Sequence, residues 1–182
     1  DSESVAAGLL HDVVEDTPVD LEQVRKMFGD EIANLTNGVT KLGRIPYSSR
    51  EEQQAENLRK MLMAMAEDIR VIIIKLADRL HNMRTIEIMA PQKQRDKALE
   101  NMEVYAPIAH RLGIRMVKEE LEDISLRYLD PIAYQEIESG LAMRSGERKA
   151  FIEVTKKRIY DRISPEIPNV YLEGRVKSIN GI

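Results

Sequence analysis

The stretch from Asp68 to Met83 constrains the fold more than any other. Its centre, Val71-Ile72-Ile73-Ile74, is β-branched throughout, and four such residues in a row are what a strand prefers. The apolar pattern nevertheless continues at helical spacing through Ala77, Leu80 and Met83. The segment therefore reads as a buried helix, opened at Asp68.

The flanking sequence supplies further helices. Ser4 is expected to cap a first one running to about Asp16, ended by Thr17-Pro18 because a residue before proline leaves the α region. Asp20-Leu21-Glu22-Gln23 reads as a capping box for a short helix that stops at Phe28-Gly29. Asp30 then caps another with Ile32, Leu35 and Val39 on one face and Gly38 as its weak point. Residues 42–48 form the clearest internal loop, and Ser48-Ser49-Arg50-Glu51-Glu52 offers overlapping capping boxes for the next helix. Leu58, Met61, Leu62 and Met65 mark its buried stripe, and Met61, Met63 and Met65 read as core packing.

Beyond the buried helix, Pro91 sits at the first position of a long helix closed by Gly113, which Pro107 should kink or split. Ile114 to Tyr128 is the next helix. Asp130-Pro131 then caps another to about Ile163, interrupted near Gly140 and Gly146. Pro165 and Pro168 bound a linker, and Asn169–Arg175 is the one strand candidate. The expected architecture is all-α, about eight to ten helices, followed by the first strand of a further domain.

Bulk properties remove several function classes. At 182 residues the chain can bury one good core and carry a small appendage. A net charge of −4 with the two signs interspersed gives no nucleic-acid groove, so DNA is not an expected partner. No apolar run approaches the roughly 20 residues of a membrane span, so no membrane partner is expected either. The opening Asp-Ser-Glu-Ser lacks a basic n-region, making the cytoplasm the default location. Zero cysteines exclude disulfides, thiolate metal sites and a cysteine nucleophile. The chain starts without methionine and enters a helical pattern at once, so it reads as a fragment.

Two acidic stretches carry the chemistry. The first is His11-Asp12-Val13-Val14-Glu15-Asp16, directly after the apolar Val5–Leu10. In a helix His11 and Glu15 share one face, as do Asp12 and Asp16, while His11 and Asp12 flank a common edge that a metal could grip. The bland alternative is a solvated acidic surface. The second is Lys75-Leu76-Ala77-Asp78-Arg79-Leu80-His81-Asn82-Met83-Arg84-Thr85, where Asp78, Asn82 and Thr85 line one face. Here the bland alternative pairs Asp78 with Arg79, Lys75 or Arg84. Taken together, one imidazole and two carboxylates suit Mn²⁺, Fe²⁺ or Mg²⁺ more than a soft metal. Glu15 and Asp16 remain to orient and deprotonate a bound water. Lys41, Arg44, Lys75, Arg79 and Arg84 are within reach in sequence to neutralise a polyphosphate.

These two stretches, with Gly38-Val39-Thr40-Lys41-Leu42-Gly43 and the segments 50–65 and 105–113 onward to Asp130, resemble the hydrolase half of the RelA/SpoT family, the bifunctional (p)ppGpp synthetase/hydrolases of the bacterial stringent response. The resemblance implies an all-α HD-type bundle holding one Mn²⁺. It maps metal ligands to His11, Asp12 and Asp78, plus a histidine that would precede Asp1. It also maps the water-handling pair to Glu15 and Asp16, and nucleotide contacts to Asn82 and Thr85. The implied reaction is hydrolysis of the 3′-pyrophosphate of ppGpp or pppGpp. Val170–Ile182 is similar to the opening strand of the family's synthetase domain, where Arg175 and Lys177 would contact ATP. On that basis residues 1–130 are the hydrolase domain, 131–165 linking helices and 166–182 the start of the synthetase domain.

The implied partners are guanosine tetra- and pentaphosphate, the synthetase domain in cis, and the ribosome through further C-terminal regions. Two other functions stay open: a guanine-nucleotide-binding regulatory module that does not cleave, and an HD phosphohydrolase for another nucleotide. His81, on the same helix as Asp78, and His110, near a helix end, read as structural. Glu119–Asp123 reads as a solvated face.

Overall fold

The β-branched run lies inside a helix, Ile69–Arg84, as its spacing predicts. Asp68 opens that helix by accepting the Arg70 backbone N–H at 2.9 Å. The structure, a computed structural model, describes residues 1–43, 59, 63, 67–142, 145–167, 169–174 and 177–182. The chain divides into two units, Asp1–Ser125 and Leu126–Ile182.

The first unit runs α1 (Ser2–Leu10), α2 (Val13–Asp16), α3 (Leu21–Phe28), α4 (Asp30–Gly43), α5 (Ile69–Arg84) and a 3₁₀ turn (Ile86–Ile88). It continues through α6 (Pro91–Glu100), a π-helical turn (Asn101–Tyr105), α7 (Ala106–Arg111) and α8 (Arg115–Leu129), within which the division falls. Helix α4 is the hub: α1, α3 and α5 all pack on it, and α1 also meets α5. Its Ala33, Leu35, Thr36 and Val39 are buried, as are Ala7 of α1, Val24 of α3, and Ile72 and Leu76 of α5. The acidic stretch after α1 and the one on α5 are thereby carried by neighbouring helices. The second unit contains α9 (Pro131–Ala142), α10 (Ser145–Ile163) and a 3₁₀ turn (Ile179–Gly181). Asp130 caps α9 through the Ala133 N–H at 3.0 Å, and Arg127 stacks over the buried Tyr134 ring.

Several local signals act as expected. Asp20 and Gln23 close both halves of the capping box, Gly29 ends α3 at φ 92°, and Pro91 is the first residue of α6.

Others are corrected. Asp1, not Ser4, caps α1, accepting the Ser4 N–H at 2.7 Å. The first helix stops at Leu10 and restarts at Val13 rather than running on to Asp16. The reason is His11, whose ring Nδ1 lies 2.7 Å from the Gly8 carbonyl. The ring thus competes with the Asp12 amide for the acceptor that a continuing helix needs. Gly38 is a close approach more than a weak point: a Cβ there would lie 2.7 Å from Val71 Cγ2. Pro107 splits its helix through the turn before it, where the Ala106 amide reaches back five residues to Asn101. After Asp130 one helix runs through Gly140 to Ala142, and Gly146 lies inside the next, Ser145–Ile163, so neither glycine interrupts a helix.

Met63 is exposed rather than packed in the core. Met61, Met65 and most of the 42–66 region lie outside the described residues. The described residues contain no strand, so 169–174 has no ladder to join and takes a turn and irregular backbone. The Glu119–Asp123 face is half-buried and paired, with Glu120 bound to Arg84 and Glu122 to Lys118.

Candidate active site

The break after α1 aims the His11 ring at α5. Its Nε2 lies 3.0 Å from Asp12 Oδ2 and 3.4 Å from Asp78 Oδ1, so residues 67 apart in sequence meet at one imidazole nitrogen. A carbonyl only accepts, so Nδ1 must carry the proton that binds Gly8, and in the neutral ring Nε2 then presents a lone pair. That nitrogen is buried and, among the described residues, makes no hydrogen bond of acceptable geometry. Its Asp12 contact has the right distance but not the right direction. Thr40 Oγ1 donates to the His11 carbonyl at 3.4 Å, tying this turn to the hub helix.

Asp78 is the buried member, with a side chain 9% exposed against 58% for Asp12. Its Oδ2 meets Lys75 Nζ at 2.9 Å, and its Oδ1 accepts from Asn82 Nδ2 at 2.7 Å. Burial pushes its carboxyl up, but the Lys75 ammonium, by charge and hydrogen bond, with Arg79 adding to it, outweighs this and holds it below the ordinary carboxylate range.

Among the described residues no group of three or more His, Cys, Asp or Glu side chains is arranged, as it stands, to hold a metal ion. What they form is one orphaned nitrogen lone pair facing two carboxylates, an arrangement that repels itself unless a cation or a proton enters. A ring fixed through Nδ1–H to a backbone carbonyl is also how metal-ligating histidines are generally held. In its chemistry the donor set, one nitrogen and two carboxylates, suits a divalent cation, with its remaining positions left to other donors.

Asp12 and Asp78 stand at the edge of a cleft of about 200 Å³. Its wall carries Lys75, Arg79, Asn82 and Lys97, and its floor is apolar, with Met83, Ile86 and Met89. Arg79 makes a two-pronged pair with Glu100 at 3.0 and 3.1 Å and stacks 4.4 Å over the Tyr105 ring. Asn101, first residue of the π turn, also lines the cleft and donates to the Lys97 carbonyl at 2.7 Å. Its Oδ1 and Arg79 Nε are buried without hydrogen bonds.

The remaining residues singled out in the sequence are placed less centrally. Glu15 and Asp16 are exposed on α2, one turn past Asp12; their amides donate to the Asp12 carbonyl, and their carboxylates make no hydrogen bond or ion pair among the described residues. Thr85 does not line the cleft; its hydroxyl is turned onto the His81 and Asn82 carbonyls of its own helix. Lys41, His81 and His110 are exposed, and Arg84 is bound to Glu120 away from the cleft. Lys177 is exposed, whereas Arg44 and Arg175 lie outside the described residues. The sequence reading missed Lys97, Glu100 and Asn101. No spacing rule links them to Asp78; only the π turn packed on α5 and the Arg79–Glu100 pair do.

The profile of the HD domain matches residues 1–115. This chain belongs to the HD-domain family. HD-domain hydrolases are metal-dependent, in keeping with the donor set at His11. Among curated relatives, the HD-domain chain is 49% identical to a Synechocystis protein named probable guanosine-3′,5′-bis(diphosphate) 3′-pyrophosphohydrolase, with all of this chain and 24% of the relative aligned. It is 45% identical to a Myxococcus xanthus GTP pyrophosphokinase, again over all of this chain and 24% of the relative. To the Escherichia coli K12 bifunctional (p)ppGpp synthase/hydrolase SpoT it is 43% identical, over all of this chain and 26% of the relative. The chain spans about a quarter of the length of the curated relatives it matches. No helix among the described residues is long and apolar enough to cross a membrane.

Proposed function

We propose that this HD domain hydrolyses the 3′-pyrophosphate of ppGpp and pppGpp, giving GDP or GTP and pyrophosphate, as part of a bifunctional cytoplasmic enzyme of the stringent response. The observation that carries the reading is the buried His11 Nε2 lone pair, facing Asp12 and Asp78 at the edge of a cleft lined with cations. The names of the relatives supply the substrate.

In this reading His11, Asp12 and Asp78 hold one Mn²⁺, which when bound acidifies water and offsets phosphate charge. Glu15 or Asp16, exposed and unpaired beside the ligands, takes the proton from the attacking water. The water oxygen joins the phosphorus on the ribose 3′-oxygen, that P–O bond breaks, and the 3′-oxygen ends as a hydroxyl. Asn82 and Thr85 belong to the nucleotide pocket, with Asn82 also steadying Asp78. Residues 1–130 form the hydrolase domain, 131–165 link it onward, and 166–182 begin the synthetase domain, with Arg175 and Lys177 toward its ATP.

The test is a hydrolysis assay on the full-length protein with ppGpp and Mn²⁺. Asp78→Ala is expected to lose turnover, and undiminished turnover rejects the ligand assignment. A deoxynucleoside triphosphate cleaved in preference to ppGpp would instead mark an HD phosphohydrolase of another specificity. A binding-only module draws on one feature, the Asp78 carboxylate already neutralised by Lys75. Nucleotide binding that survives chelation, with no product released, would favour it.

A further inference from the structure

Three cations line the cleft beside His11: Lys75, Arg79 and Lys97. They are not equivalent. Lys75 is 11% exposed in its side chain and held by Asp78 at 2.9 Å. Arg79, also 11% exposed, has both terminal nitrogens on Glu100 and its face on Tyr105. Neither can turn to a ligand without breaking a contact that its neighbours need. Lys97 differs. Its side chain is 44% exposed, and its one ion pair among the described residues, 3.1 Å to Glu100 Oε2, is to an oxygen that Arg79 already engages.

Charge balance points the same way. Glu100 carries one negative charge between Arg79 and Lys97, leaving one positive charge over on that wall. Lys75 and Asp78 cancel. The surplus therefore rests on the most exposed and least tightly held of the three cations that line the cleft.

We propose that Lys97 is the specificity residue that binds the phosphate arm of the substrate that is not cleaved, the 5′-di- or triphosphate, leaving Glu100 to Arg79 when it does so. The inference rests on the ppGpp reading and deepens it. A substrate with a diphosphate on each side of the ribose needs two centres of positive charge. The His11–Asp12–Asp78 end serves the scissile arm; Lys97 is the remaining adaptable charge on the same wall. An ammonium on a flexible stem suits this task, because it follows a phosphate without demanding one geometry.

The experiment compares two substrates on the full-length protein: guanosine 5′-diphosphate 3′-diphosphate, and guanosine 3′-diphosphate with no 5′-phosphate. Lys97→Met is expected to raise KM for the first roughly tenfold or more, the worth of one charge-assisted hydrogen bond, with kcat within about twofold. KM for the second should not move, and Lys97→Arg should restore most of the loss. An equal rise for both substrates, or no rise for either, overturns the assignment. If the unmodified protein cleaves neither substrate, the pyrophosphohydrolase reading falls and this one falls with it. If it cleaves both but Lys97→Met does not distinguish them, only this one falls.

Discussion

Val71 fills the space over Gly38: a Cβ built on the glycine would sit 2.7 Å from Val71 Cγ2 and 3.2 Å from Cγ1. Val71 is buried in the first turn of α5, so it has no room to withdraw. This contact sets how closely α5, which carries Asp78, lies against the hub helix behind His11. Gly38→Ala should therefore destabilise the protein by about 1–3 kcal/mol despite alanine's better helix propensity, because overpacking outweighs the gain of about 1 kcal/mol. Urea unfolding checks this. Adding Val71→Ala should recover part of the loss, and simple additivity of the two changes would refute the contact as its cause.

Arg79 is bound on three sides, by two Glu100 oxygens and the Tyr105 face, within a site where most of its side chain is buried. Those contacts join α5 to the end of α6 and to the π turn. Arg79→Ala should lower stability by about 2–4 kcal/mol, since it leaves the largely buried Glu100 carboxylate to the partly exposed Lys97 and removes the packing on Tyr105. Arg79→Lys should recover only a minority of that, because an ammonium can neither pair in two prongs nor stack as a plane. Full recovery by lysine, measured as the denaturant midpoint, would show that charge alone matters.

How much of this was legible in the sequence depends on the range of the force involved. The helix at 69–84, the capping box at Asp20 and Gln23, and Pro91 at the start of α6 follow from spacing and from bonds within four residues, and all are present. The convergence of His11 and Asp78 was an expectation from residue chemistry and resemblance; their 3.4 Å separation arises from α1 and α5 sharing a hub helix. The break at His11 was not legible, because it comes from a side chain taking a backbone acceptor that periodicity assigns to the helix. Of the expected row, Asp78 and Asn82 reach the cleft, whereas the Thr85 hydroxyl bonds the His81 and Asn82 carbonyls of its own helix. Lys97 and Glu100 became visible only with the packing of α6.

Glu120 binds Arg84 through two hydrogen bonds of 2.6 and 2.8 Å, tying the C-terminal end of α5 to α8. Its hydrogen bonding to Arg84 holds its carboxyl below the ordinary 4.5, against a smaller opposing effect of burial. A carboxyl lowered in the folded state stabilises it fully above the unfolded value, and loses that contribution as pH falls through the folded one. The stability difference between the unmodified protein and Glu120→Gln should therefore be flat from pH 6 to 8. It should shrink only below about pH 4.5. Denaturant midpoints across that range provide the measurement; a difference that changes near neutrality would mean another group is responsible.

Lys75 and a divalent cation compete for the same carboxylate. The Lys75 ammonium sits on Asp78 Oδ2 at 2.9 Å, and both side chains are about nine-tenths buried. Replacing it by methionine fills similar space without the charge, leaving Asp78 buried beside the His11 lone pair with only Asn82 to support it. Without metal, Lys75→Met should cost about 3 kcal/mol, the scale for stranding one member of a buried pair. With saturating Mn²⁺ the cation replaces the lost charge, so the variant should regain most of its stability. Its metal-induced rise in Tm should then exceed that of the unmodified protein, because a ligand that binds the folded state stabilises it in proportion to its affinity. Calorimetric melting with and without Mn²⁺ decides the matter. Equal rises in the two proteins would mean that the ion does not bind at Asp78, and the candidate metal centre would have to be sought elsewhere.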